Sequence, residues 1–222
     1  MEKESVWDRF ADLYGECYDQ IDRSDSDVKV WNDAFDTLKE GLAAEMKKRK
    51  GLLTLEEFDE IFDGKYDIAG WLGDYLDELD LRGCCSALLD AVDWLRENFD
   101  WSGGDELELD SYRVSALIGA GYADEAYETA VKWYSSEKNS LSAASLIRAC
   151  MAAGKDDYAG KVIEAEIPEG TACDEYTCPV FIEAQKYYEK KKDEAGTERC
   201  RRELEKFEKD VMSTFSDKAD SK

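Results

Sequence analysis

The sequence predicts an all-α protein whose middle and C-terminal parts form a solenoid of stacked helix pairs behind an N-terminal helical segment. The 222 residues contain only two prolines, Pro168 and Pro179, so few positions block a helix. Apolar residues recur at three- and four-residue spacing, which is the period of an amphipathic helix. Glycines recur at intervals of 38 and 33 residues, from Gly83 to Gly121 to Gly154, and such intervals are typical of helix-pair repeats.

The N-terminal segment predicts three helices. We expect the first helix over residues 3–20 and the second over 28–50, because each range carries one apolar stripe. The Ser- and Asp-rich run 21–27 between them predicts a turn that also caps the second helix. Thr54, followed three residues later by Glu57, has the pattern of a capping box and predicts a short third helix.

From residue 66 onward one pattern of helices repeats. An apolar helix ends at each of the three glycines named above, and a small residue follows four or five positions later in the next helix. Glycine permits the left-handed turn at the helix end, and a small side chain lets two helices approach closely. The small residues are Ala87, Ala126 and Ala159. A solenoid is the simplest fold that explains this recurrence.

Two of these turns resemble the tetratricopeptide repeat. Residues 121–126 (GYADEA) and 154–159 (GKDDYA) are similar to that family's turn and to the opening of its second helix. The string 71–79, with Tyr112 and Arg113, is also similar to bacterial tetratricopeptide-like proteins that sometimes carry a C-terminal SEC-C zinc motif, and this chain lacks that motif. The resemblance implies a right-handed α-solenoid that binds proteins and performs no chemistry.

The resemblance also implies where a partner binds. In the family's geometry the first helices of the pairs form a concave face, and a peptide or protein segment lies against it. The candidate groove residues are Asp77, Asp80, Ser111, Ser115, Ile118, Ala144, Arg148 and Met151.

The last third of the chain predicts one more helix pair, over residues 178–192 and 195–215. The second of these helices has apolar residues on one side only, as expected of a cap that covers the open end of a solenoid. The predicted domains are therefore an N-terminal helical segment (1–65), a repeat domain (66–215) and a disordered tail (216–222).

Charge excludes several classes of partner. The net charge is −24, from 53 acidic and 29 basic residues. Nucleic-acid binding needs clustered Lys and Arg to neutralise phosphates, so we expect neither a nucleic-acid partner nor an anionic membrane surface. No apolar run approaches the ~20 residues that span a bilayer, and the first ten residues lack the apolar core of a signal peptide. We therefore expect a soluble cytoplasmic protein.

The chain contains no histidine. This excludes Ser-His-Asp and Cys-His catalysis and mixed Cys/His zinc sites, and we expect neither enzymatic activity nor a cofactor. The seven cysteines are odd in number and irregularly spaced, which favours reduced thiols. Cys173 and Cys178 form the only loop cluster of interest, and without two further soft ligands it predicts no metal site.

Two further hypotheses concern partners. Residues 55–110 hold eighteen acidic and three basic residues, which suggests an alternative function as an acidic decoy or inhibitor of a basic, nucleic-acid-binding protein. Residues 186–209 carry nine basic and seven acidic residues. This asymmetry favours docking of the C-terminal helices on an acidic neighbour, either within the solenoid or in a second copy as a homodimer.

Truncation before Thr171 tests the role of the last helix pair. Removing the pair leaves the apolar face of one helix pair in water, so we expect the truncated chain to melt several degrees lower or to aggregate. Thermal melting and size-exclusion chromatography measure both outcomes. Unchanged melting and solubility would show that the pair is an appendage to the stack.

Overall fold

A computed structural model describes residues 5–20, 28–49, 51–62, 65–104 and 107–219, with side chains as far as residue 213. These residues form eleven α-helices, and the only β-type pairing among them is an isolated bridge between Leu53 and Phe99. The predicted all-α class is confirmed. The helices are α1 (Val6–Gln20), α2 (Lys29–Met46), α3 (Leu55–Glu60), α4 (Ile68–Leu81), α5 (Cys85–Asn98), α6 (Leu109–Gly119), α7 (Ala123–Ser136), α8 (Ser140–Ala152), α9 (Asp156–Glu166), α10 (Cys178–Lys191) and α11 (Glu194–Ala219).

The chain divides into two units, residues 1–107 and 108–222. The predicted boundary at residue 65 falls within the first unit, between α3 and α4, which contact each other. The predicted turn over 21–27 lies outside the described residues. Helix α11 continues to Ala219, past the predicted start of the tail at residue 216, and the last three residues of the tail are outside the described part.

Stacked aromatic rings form the core of the first unit. Trp71 lies almost parallel to Trp31 on one side and to Tyr75 on the other, with ring centroids 5.9 Å and 5.6 Å apart. Phe10 contacts Trp71 edge-on at 5.5 Å, and Phe10, Trp31 and Trp71 are almost fully buried. Large aromatic side chains contribute most of the buried area of such a core, so these rings tie α1, α2 and α4 together.

A glycine sets the closest approach of α1 to α2. Trp7 of α1 covers Gly41 of α2, and a Cβ built on Gly41 would overlap the six-membered ring of the Trp7 indole. Any larger residue at position 41 therefore forces the indole or the helix to move.

The second unit is organised around α8. This helix contacts α6, α7, α9 and α10, and α11 packs on α10. Gly121 and Gly154, which separate α6 from α7 and α8 from α9, have φ angles of 83° and 70°. The N–H after each glycine donates back to a helix carbonyl, from Tyr122 to Leu117 and from Lys155 to Cys150, each at 2.8 Å. These left-handed helix ends are those that the sequence predicts.

The close contact between Trp7 and Gly41 generates a stability prediction. We expect Gly41→Ala to lower the free energy of unfolding by about 1–3 kcal/mol, because overpacking at the helix crossing outweighs the gain in helix propensity. Gly15→Ala in α1 is the control, since nothing lies within 4 Å of the added Cβ, and it should raise stability by up to ~1 kcal/mol. Urea denaturation measures both. A Gly41→Ala chain as stable as the control would contradict the packing described here.

Candidate binding groove

A cavity of about 160 Å³ lies between α6, α8 and α10 in the second unit. Small-molecule pockets usually measure ~300–1,000 Å³, whereas ~150 Å³ is enough for a benzene-sized group. The cavity therefore accommodates a single side chain. We call it the α8 groove, and its lining residues are Ser111, Leu141, Ala144, Ser145, Arg148, Pro179, Ile182 and Glu183.

A capping box fixes the start of α8. Asn139 accepts a hydrogen bond from the backbone N–H of Ser142 at 2.8 Å, and the Ser142 hydroxyl accepts one from the backbone N–H of Asn139 at 3.2 Å. The helix then places Leu141, Ser145 and Arg148 at positions three and four residues apart, which share one face. This face is the floor of the groove.

A turn over residues 174–177 fixes the start of α10. The Asp174 carboxylate accepts hydrogen bonds from the hydroxyl and the backbone N–H of Thr177, each at 2.8 Å. These bonds favour the ionised acid and lower the pKa of Asp174 below its ordinary value. The turn leads into Pro179 in the first turn of α10, where a missing N–H costs no helical hydrogen bond.

The wall formed by α10 is partly apolar and partly charged. Ile182 is 42% exposed. Glu183 is only 7% exposed. Its Oε1 accepts a hydrogen bond from Lys186 Nζ at 2.8 Å, while its Oε2 is buried without a partner. The charge of Glu183 is thus compensated within α10.

Arg148 forms no such ion pair. Its Nε is buried without a hydrogen-bond partner, and no residue in the described ranges lies within ion-pair distance of its guanidinium. It is also the only charged residue of α8. Arg199 in the same unit differs, because it donates to the carbonyls of Ile167 and Pro168 at 2.8 Å and 2.7 Å. A buried Nε–H without an acceptor is an unsatisfied donor, and the two terminal nitrogens of the guanidinium are not among the buried unpaired atoms.

The structure brings three of the sequence-predicted groove residues together. Ser111, Ala144 and Arg148 line the α8 groove, and Ser111 Oγ lies 3.4 Å from Ser145 Oγ. The other candidates on these helices, Ser115, Ile118 and Met151, are half-buried and lie outside the lining.

The remaining candidates, Asp77 and Asp80, belong to α4 in the first unit. Sequence reasoning missed the contribution of α10, namely Pro179, Ile182 and Glu183. The signal for it was available, because residues 178–192 had the apolar periodicity of a further first helix.

Cys173 and Cys178 are half-buried and lie close to each other. Burial, together with the neighbouring Cys178 thiol, raises the pKa of Cys173 to about 12. A thiol with so high a pKa is protonated at neutral pH and is a poor nucleophile and metal ligand. Within the described residues, no group of three or more cysteine and acidic side chains is arranged to hold a metal ion.

A second, more open groove of about 450 Å³ lies between α1 and α2 in the first unit. Four carboxylates line it, and three of them have a basic partner: Glu40 pairs with Arg9, Asp33 with Lys29 and Asp36 with Lys39. The fourth, Asp12, is exposed. This groove carries a net negative charge, unlike the α8 groove.

The chain was compared with protein-family models and with curated proteins. No protein-family model matches the chain, and no curated protein matches it. Among the helices in the described ranges, none has both the length and the apolar character needed to cross a lipid bilayer.

The isolation of Arg148 generates a stability prediction. We expect Arg148→Met to leave the melting temperature unchanged or to raise it, because methionine fills similar space without a buried, unpaired N–H donor. Arg199→Met is the control and should lower stability by about 1–3 kcal/mol, because two carbonyls lose their donor. Thermal unfolding compares the two variants. Equal destabilisation by both would show that the Arg148 guanidinium supports the fold.

Proposed function

We propose that the protein is a binding scaffold whose second unit holds a peptide segment of a partner protein in the α8 groove. The observation that carries the proposal is Arg148, whose Nε is buried without a hydrogen-bond partner among the described residues. A buried N–H donor without an acceptor costs stability in the free chain. A partner that supplies hydrogen-bond acceptors to this guanidinium removes the cost on binding.

The proposed architecture is a right-handed solenoid of tetratricopeptide-like pairs, with the α8 groove on its concave face. Under this proposal α6, α8 and α10 are the first helices of three successive pairs. Two observations support it: α8 contacts both α6 and α10, and the turns at Gly121 and Gly154 are those that resemble the family. Concave faces of such arrays are binding surfaces.

The size and chemistry of the groove favour a peptide over a metabolite. One side chain fills about 160 Å³, so most of a larger ligand must lie outside the cavity. Ile182 offers exposed apolar surface beside the cavity, where neighbouring residues of a peptide can pack. Arg148 and the hydroxyls of Ser111 and Ser145 provide donors for peptide carbonyls.

The acidic groove of the first unit favours the alternative function. A basic protein segment would be attracted to the carboxylates between α1 and α2, and the whole chain, at −24, would add long-range attraction. Ionic strength separates the two functions. Binding to a surface of exposed charges weakens steeply with salt, whereas binding anchored in a partly buried groove weakens less.

Peptide selection tests the proposed function. Random peptides displayed on phage are selected on the full chain, and the recovered peptides are then measured against Ile182→Lys. We expect a loss of affinity of at least ~10-fold, because the lysine places a charge in the apolar wall. Leu81→Lys is the control, since Leu81 is 83% exposed in the first unit, and it should bind as the parent does.

Melting curves establish that both variants are folded. Recovery of no specific peptide, or equal binding by Ile182→Lys, would contradict the proposed function. The selection can instead recover peptides rich in lysine and arginine. If their binding disappears at high salt and is unchanged in Ile182→Lys, the result favours the acidic-decoy alternative.

A further inference from the structure

We infer that the α8 groove recognises an internal glutamate of its partner peptide, and that Arg148 is the residue that determines this specificity. The inference rests on the proposed function, because it names the chemistry of the peptide that the same groove binds. It follows from the balance of charge, from the position of Glu183 and from the apolar walls.

The charges around the cavity leave Arg148 as the group with which a ligand can form an ion pair. Two charged residues line the cavity, Arg148 and Glu183. The Glu183 carboxylate already binds Lys186 Nζ at 2.8 Å, whereas Arg148 Nε has no acceptor in the described part of the chain. A neutral side chain offers this guanidinium no ion pair, and a basic side chain is repelled by it. A single carboxylate matches it and offers bidentate hydrogen bonds.

The position of Glu183 argues against a doubly charged ligand. This carboxylate lines the same cavity, is 7% exposed, and has one oxygen without a partner. A phosphate group would bring nearly two negative charges next to it. Sites that recognise phosphorylated peptides use clusters of arginines, and the lining of the α8 groove has one.

The apolar walls favour a side-chain carboxylate over the carboxylate at the end of a chain. Leu141, Ala144 and Pro179 face the same cavity as Arg148. The methylenes of a glutamate cover apolar surface while its charged end reaches the guanidinium, as the stems of long polar side chains do elsewhere. A terminal carboxylate is attached directly to the backbone and brings no such stem.

The charge of the whole chain restricts the residues around this glutamate. At a net charge of −24, the protein repels acidic peptides before they reach the groove. The preferred partner segment therefore carries one glutamate among neutral or basic residues.

Two peptide libraries and a charge reversal test the inference. One library displays peptides fused through their carboxyl ends, and the other displays peptides with free carboxyl ends. We expect the fused library to yield peptides that share a glutamate among non-acidic residues. In synthetic copies, replacing this glutamate by glutamine should weaken binding to the parent chain roughly ten- to hundred-fold.

Charge reversal identifies the residue that binds the glutamate carboxylate. The Arg148→Glu chain should no longer bind the glutamate peptide. It should bind a synthetic peptide in which that glutamate is replaced by lysine. Lys132→Glu, which changes the same net charge at an exposed position of α7, should bind the glutamate peptide as the parent does. If both charge-reversed variants lose binding, the net charge of the chain causes the loss. That result would contradict the proposal that Arg148 determines specificity.

The failures are distinguishable from those of the proposed function. Peptides whose binding is lost in Ile182→Lys but that share no acidic residue would support the proposed function and contradict the recognition of a glutamate. Selection only from the library with free carboxyl ends would assign the groove to chain termini. Tighter binding of a phosphoserine copy would assign it to phosphate. If neither library yields a peptide that depends on Ile182, the proposed function and the inference fail together.

Discussion

Close packing of four helices around α8 is the constraint on which the second unit depends. Its sequence, SLSAASLIRACMA, is rich in alanine and serine, and eight of its residues are buried. Small side chains let neighbouring helices approach from several sides, but they also leave little room for polar groups. Ser142 is satisfied by donating to the Glu137 carbonyl at 2.6 Å. Arg148 is the exception, because its Nε is buried without a hydrogen-bond partner among the described residues.

The local features of the fold were predictable because they depend on residues close in sequence. The helix ends at Gly121 and Gly154 require only a left-handed residue and hydrogen bonds across five positions. The capping box at Thr54 is likewise local: its hydroxyl accepts from the Glu57 N–H at 3.1 Å, and the Glu57 carboxylate accepts from the Thr54 N–H at 3.0 Å. The boundary between the two units after residue 107 could not be predicted from a local sequence pattern, because it depends on which helices pack together.

The site was predictable where helical periodicity alone decides it. Periodicity places Ala144 and Arg148 on one face of α8, and both line the groove. It does not say which other helices flank that face, so Ile182 and Glu183 were missed and Asp77 was assigned to the same surface from a different unit. Nor does sequence show whether a charge is paired, since that depends on side chains that approach from elsewhere in the fold.

The aromatic stack of the first unit has a consequence for spectroscopy. Five of the six tryptophans lie before residue 108, and Trp133 alone lies in the second unit. Buried, closely packed rings such as Trp31, Trp71 and Tyr75 produce near-ultraviolet circular dichroism that disappears when side-chain packing is lost. Intrinsic emission and near-ultraviolet dichroism of this chain therefore report mainly on the first unit. A ligand that occupies the α8 groove changes these signals little, so its binding is best followed through a label on the ligand.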